Sequence, residues 1–269
     1  MEWPRIMICL LTKNDAKYLP RFLETMSKLD YPKEKLRWVW IYGKSTDNTL
    51  EIILDFHKKH SYDFEIYEEF PIHMPVKSSL YLAELCNAFK DLYQDEEFVL
   101  FADTDIIRVP SNTLKELVKV KKDIVAPYVY VEGTEQFFDT YVFRINGWKF
   151  EKVILNGKEY NLMNPPFKDA KEPVELDSVG TFLLIRGEVF KKVRWENPAP
   201  HLQFCKNARK LGYKVYALPY IKIYHANVLK EGEYHFPVEY YVMKGILPES
   251  ELRKVGYVRR NGRWVLDTK

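Results

Sequence analysis

With 269 residues, 46% of them hydrophobic and 29% charged, the chain can bury a full core as one large α/β domain or two small ones and is too apolar to remain disordered. A net charge of +3 excludes an argument for a nucleic-acid partner. From residue 253 onward Arg253, Lys254, Arg259, Arg260, Arg263 and Lys269 face only Asp267, a run able to touch phosphates or an acidic surface but more commonly a solvated face.

Cys9, Cys86 and Cys205 stand far apart in apolar or helical contexts, with neither metal-ligand spacing nor an even count for a disulfide framework. The expected location is therefore a reducing cytoplasm. The apolar run Ile6 to Leu11 is too short to span a bilayer, so any membrane association is expected to be peripheral.

Ile6 to Leu11 has the continuous apolar character of a strand covered on both faces, and it ends in the polar loop Thr12-Lys13-Asn14-Asp15. Residues 16–29 repeat apolar side chains at helical spacing up to Tyr31-Pro32. Trp38 to Tyr42 reads as a second buried strand. After it come Gly43-Lys44-Ser45-Thr46-Asp47-Asn48-Thr49 and a helix to about His60, with Leu50, Ile53, Leu54 and His57 inward and Asn48 and Glu51 at capping-box spacing. Phe64 to Tyr67 is a short third strand, and Lys77 to Tyr93 a helix.

Phe98 to Ala102 is an apolar run that stops at Asp103-Thr104-Asp105. If the extended geometry continues, a period of two sets both carboxylates on one side at the carboxyl end of a central strand, where open α/β sheets bind ligands. Paired carboxylates suit a hard divalent cation, with water and phosphate completing its shell. The motif alone proves little, since 14 Asp in 269 residues give roughly 0.7 such pairs by chance. Context adds weight, because alternating strands and helices up to this point predict a mostly parallel sheet flanked by helices, a nucleotide-binding half.

Residues 112–122 form another helix and 124–126 a short strand. Residues 128–175 are aromatic and then loop-like, an insertion that helps build an acceptor site or a satellite hydrophobic cluster under a long loop. Asp177 to Ile185 reads as a strand entering from a small-residue turn, His201 to Leu211 as a helix ended by Gly212, and Lys214 to Leu218 and Ile221 to Tyr224 as strands before His225. Beyond residue 229 the chain has the character of an appended arm, with strands expected at 240–242 and 255–258.

Taken together, these segments resemble the GT-A glycosyltransferases, especially the family-2-like group. The likeness rests on Ile6 to Asn14, Ser45 to Thr49, Phe98 to Asp105, Asp177 to Arg186, Ala208 to Tyr213 and Ile223 to His225, which occur in the family's order. A narrower likeness, to Anp1-type mannosyltransferases, rests on Asn87, Asp103 to Ile106, Leu218-Pro219 and Tyr224-His225. The resemblance implies a GT-A (Rossmann-like) α/β domain over 1–228, with a nucleotide-binding half to about 127, an acceptor half from 128, and a short C-terminal extension over 229–269.

It also implies transfer of a sugar from a nucleotide-diphospho-sugar to a glycan, lipid-linked or small-molecule acceptor, with Mn²⁺ or Mg²⁺. Thr12, Asn14 and Asp47 fall where the family holds the nucleotide, Lys77 near the diphosphate, Asp103 toward ribose and metal, and Asp105 and His225 on the metal. Two departures stand out. Tyr42-Gly43-Lys44 replaces a common Asp-Asp pair, which argues against uridine. Pro200-His201 replaces the Glu-Asp pair that supplies the base in inverting relatives, leaving His201 or Asp177 as candidate base. The competing readings are a sugar-phosphate nucleotidyltransferase, for which the Gly-rich loop after the first strand is missing, and a non-catalytic nucleotide-sugar binding module.

Overall fold

A computed structural model describes residues 2–68, 79–133, 137–139, 141–145, 148–149, 152–155, 158–161, 167–197, 199–226, 248–254, 257–260 and 263–266. In chain order its strands are β1 (Ile6–Thr12), β2 (Leu36–Tyr42), β3 (Asp63–Glu68), β4 (Phe98–Ala102), β5 (Ile106–Arg108), β6 (Ile124–Val131), β7 (Arg144–Ile145), β8 (Trp148–Lys149), β9 (Lys152–Leu155), β10 (Lys158–Asn161), β11 (Val174–Leu176), β12 (Phe182–Arg186), β13 (Val215–His225), β14 (Tyr257–Arg260) and β15 (Arg263–Leu266). The helices are α1 (Leu19–Ser27), α2 (Thr49–His60), α3 (Ser79–Ala88), α4 (Thr113–Lys119), α5 (Gly187–Lys192), α6 (Pro200–Lys210) and α7 (Glu249–Lys254).

One sheet runs β11-β13-β6-β12-β4-β1-β2-β3, with β5 paired to β13. Strands β3, β2, β1 and β4 are mutually parallel, as are β6 and β13, whereas β12 lies antiparallel to β4 and β6. The mostly parallel sheet expected from the sequence is thus present. The apolar runs of β1, β2 and β4 are continuous because helices cover both faces. Alternate residues divide between two cores: Ile6, Ile8, Leu10, Trp38 and Trp40 pack with α1, α2 and α4, and Met7, Cys9, Val39, Val99 and Phe101 with α3, α5 and α6.

The amino end of the sheet is pinned by buried Arg37, whose Nε donates to Glu96 Oε1 at 2.6 Å, Nη1 to Glu65 Oε1 at 2.8 Å and Nη2 to the Leu92 carbonyl at 2.8 Å. All three cysteines are buried free thiols, and no helix among the described residues is long and apolar enough to cross a membrane.

Several local expectations change. Helix α2 is capped by Asp47, whose Oδ1 accepts the Thr49 N–H, and Asn48 makes no side-chain cap; Leu54 faces solvent, 46% exposed. The stretch from Asp177 opens as a turn, in which Thr181 has φ 63° and the Phe182 N–H bonds the Gly180 carbonyl at 2.6 Å, and only Phe182 onward is β12. The two late strands are one, β13, with a register shift between Leu218 and Lys222. Tyr128 and Tyr130 belong to the central strand β6, and Phe137 and Phe143 pack against them in the same core cluster. Residues 240–242 lie outside the described ones.

Candidate active site

Strand β4 ends at Ala102. The Ile106 N–H then bonds the Asp103 carbonyl at 3.2 Å, closing a turn over 103–106. A turn, not a continued strand, therefore presents Asp103 and Asp105, and the period-of-two expectation does not hold there. β5 follows at once and pairs Ile106 with His225, so the last residue of β13 arrives beside the turn although 120 positions of chain separate it from Asp105. The Ala226 N–H donates to the Asp105 carbonyl at 2.8 Å and locks the two segments.

His225 Nε2 stands 2.8 Å from Asp105 Oδ1. On the other side of the ring, Nδ1 lies 2.8 Å from the Ala226 carbonyl, which only accepts, so Nδ1 carries a proton. In the neutral tautomer the Nε2 lone pair then faces a carboxylate oxygen. Asp105 Oδ1 is itself buried and has no aligned hydrogen-bond donor. Only a cation between them, or a proton on Nε2, makes that contact favourable. Burial alone would lower the proton affinity of His225, but the Asp105 carboxylate outweighs it and the net shift is upward. Phe138 stacks on the imidazole, with ring centroids 3.6 Å apart and 13° between planes.

Two further carboxylates surround this pair. Asp103 is open to solvent at its turn, yet the protein packed around it, and then the charge of Asp105, hold its carboxyl above the usual range. Asp139, 6% exposed, is raised by burial against the opposing effect of its hydrogen bonds: Thr181 Oγ1 donates to Oδ2 at 2.7 Å and the Val142 N–H to Oδ1 at 3.1 Å. The Thr181 carbonyl in turn accepts the Asp103 N–H at 2.9 Å. Gly180 leaves the space Asp139 needs, since a Cβ there would meet Asp139 Oδ2 and Val142 Cγ1 at 2.9 Å.

The loop after β1 forms the other wall. Asp15 Oδ2 accepts from Thr12 Oγ1 at 2.7 Å, Thr104 Oγ1 at 2.8 Å and the Lys13 N–H at 3.2 Å, tying the first loop to the Asp103–Asp105 turn. Asn14, at φ 57°, accepts the Thr46 N–H on Oδ1 at 2.8 Å and donates its own N–H to Ser45 Oγ at 2.9 Å. Asp47 braces the same junction, accepting from Thr49 and from the Ala16 N–H; its Thr49 hydrogen bond, foremost, holds its carboxyl below the usual range.

Thr12, Asn14, Asp47, Asp103, Asp105 and His225 therefore line one carboxyl-edge region, linked through Asp15 and Thr104. The two candidate bases are placed differently. Asp177 follows Leu176, which pairs with Val215, the first residue of β13, whereas His225 is the last; the Asp177 carboxylate is ion-paired with Arg209 Nη1 at 2.6 Å. His201 sits at the start of α6 and accepts a hydrogen bond from Trp195 Nε1 at 3.3 Å. Lys77 lies outside the described residues. Sequence reasoning missed Asp15, Thr104, Phe138 and Asp139. Only Asp15, three residues after Thr12 in the polar loop, carried a local signal.

Among the described residues no group of three or more His, Cys, Asp or Glu forms a ready-made metal set. The unmatched Asp105 oxygen and the tautomer imposed on His225 nevertheless fit a divalent cation whose remaining positions are filled by substrate oxygens and water.

The chain is 23% identical over 278 residues to the mannan polymerase II complex anp1 subunit of Schizosaccharomyces pombe, covering 82% of this chain and 64% of that protein. It is 30% identical over 150 residues to a glycosyltransferase 25 family member of Drosophila melanogaster, covering 49% of this chain and 24% of that one. The chain thus spans from about a quarter to about two thirds of the length of these curated relatives. Among solved structures, the mannosyltransferase PcManGT of Pyrobaculum calidifontis, in complex with GDP-Man and Mn²⁺, superimposes with a TM-score of 0.58 at 14% identity, over 93% of this chain and 64% of that one; this likeness carries the GT-A fold. Residues 3–141, just over half of the sequence, match the family model described as glycosyltransferase family 25, N-terminal domain, and the chain belongs to that family of glycosyltransferases.

Proposed function

We propose that the chain transfers a hexose from a nucleoside-diphosphate sugar to a hydroxyl of a sugar or lipid-linked acceptor, with a divalent cation at Asp105 and His225 and with Asp103 beside it. The contact between Asp105 Oδ1 and His225 Nε2 at 2.8 Å, in which the carboxylate oxygen has no aligned donor and the neutral ring's proton is held on Nδ1 by the Ala226 carbonyl, supports this reading. When bound, such a cation offsets the negative charge of the departing diphosphate.

The chain's own residues prepare the site. The Ala226 carbonyl fixes the His225 tautomer and Phe138 fixes its plane. Thr12, Asn14 and Asp47 are engaged with their neighbours, so they offer the nucleotide a rigid loop surface in place of free carboxylates, and we assign Lys77 to the diphosphate. Because Tyr42-Gly43-Lys44 lacks the carboxylate pair, and the Pyrobaculum neighbour holds GDP-Man, GDP-linked mannose is the first donor to test. Release of nucleoside diphosphate from GDP-mannose and from UDP-hexoses, with simple mannosides as acceptors, should require Mn²⁺ and stop on chelation. Metal-independent release, or none from any donor, would contradict the proposal.

A further inference from the structure

His201 is the second residue of α6, in a first helical turn that has no side-chain cap and follows Ala199 at φ 59°. Unsatisfied N–H groups at a helix start oppose a positive charge nearby. The indole N–H of Trp195 points at His201 Nδ1 from 3.3 Å. An indole nitrogen only donates, so Nδ1 is the lone-pair nitrogen and the single proton of the neutral ring resides on Nε2.

This arrangement is held firmly. The Asn87 side chain pairs with the backbone of Trp195 in both directions, donating from Nδ2 to its carbonyl at 2.9 Å and accepting its N–H on Oδ1 at 3.0 Å. The indole stacks on Phe204 at 4.0 Å and packs against Phe101 at 4.7 Å. Burial also pushes the imidazole down to about 4, which keeps it neutral at pH 7. His201 is only partly buried, so part of the residue reaches solvent. The ring lies 6.2 Å from that of Phe101, two residues before Asp103 on the α3 and α6 side of the sheet.

We infer that His201 serves as a fixed, neutral Nε2–H hydrogen-bond donor to a hydroxyl oxygen of the sugar acceptor, and not as the base that removes the acceptor's proton. The inference rests on the transferase reading for its ligand, but the tautomer is a property of the protein alone. Magnitudes separate the two roles: a lost neutral hydrogen bond costs about 3- to 10-fold in rate, a lost general base about 100- to 10,000-fold.

Two-bond ¹⁵N–¹H correlation spectra of the full chain at pH 7 should show His201 with its proton on Nε2, and a Trp195→Phe variant should lose that bias. His201→Ala should lower kcat/KM by about 3- to 10-fold, and His201→Gln, which keeps an N–H, should recover much of the loss. An imidazolium or an Nδ1–H tautomer in the spectrum, or a loss above 100-fold shared by both variants, would overturn the inference. The spectrum needs no turnover, so an inactive chain would count against the transferase reading while the tautomer is still decided.

Discussion

At the first loop, Asp15 Oδ2 accepts three hydrogen bonds and Asp47 accepts from Thr49 and Ala16. A short distance along the same edge, Asp105 Oδ1 is buried with no aligned donor and faces only His225. Both regions are acidic and both adjoin the ends of parallel strands, yet one has its polar groups matched and the other does not. Matched carboxylates hold a shape, whereas an unmatched pair reserves its binding capacity for something brought in from outside. On the proposed reading, Asp15 and Asp47 hold the shape of the site, and Asp103, Asp105 and His225 take up what it binds.

The contrast predicts different failures. Asp103→Asn should lower metal-dependent donor affinity by on the order of 10- to 100-fold while leaving thermal stability nearly unchanged, since the protein already opposes that charge; calorimetry paired with a melting curve reads both. Asp15→Ala should do the reverse, costing roughly 2 kcal/mol in denaturant unfolding because the Thr12 and Thr104 hydroxyls lose a charged acceptor. Gly180→Ala should cost about 1 kcal/mol, toward the low end for overpacking, as Asp139 and Val142 give way, with a measurable rise in the donor KM.

A further effect concerns pH and lies away from the site. His57, 1% exposed, accepts from Trp40 Nε1 at 2.9 Å and is pushed down to about 4, chiefly by burial. The unfolded chain takes up this proton near pH 6.5 and the fold refuses it until about 4, so stability present above pH 6.5 is lost as pH falls through that window. His57→Gln, which does not titrate, should show a shallower fall in melting temperature between pH 7 and 4.5.

The part of the fold legible in the sequence was the part whose burial is two-sided. β1, β2 and β4 announced themselves as unbroken apolar runs because helices cover both faces, and the turn carrying Asp103 and Asp105 was marked by where such a run stopped. The small-residue turn before β12 was legible, but what holds it was not: Thr181 bonds Asp139 through its hydroxyl and Asp103 through its carbonyl. Asp139 gave no signal among its aromatic neighbours: its partner Thr181 lies 42 residues away. His201 was legible as a departure from the family's acidic pair, but its tautomer depends on Trp195 and through it on Asn87, 108 residues earlier.

Calorimetric titration of GDP and of UDP into wild-type chain and Asp105→Asn, each with and without Mn²⁺, decides whether Asp105 and His225 take a divalent cation. Mn²⁺ should strengthen one nucleotide's binding to the wild type by at least tenfold, and the variant should lose this gain while keeping its fold. Equal affinities with and without Mn²⁺ in the wild type, or an undiminished Mn²⁺ effect in the variant, would contradict the proposed cation site.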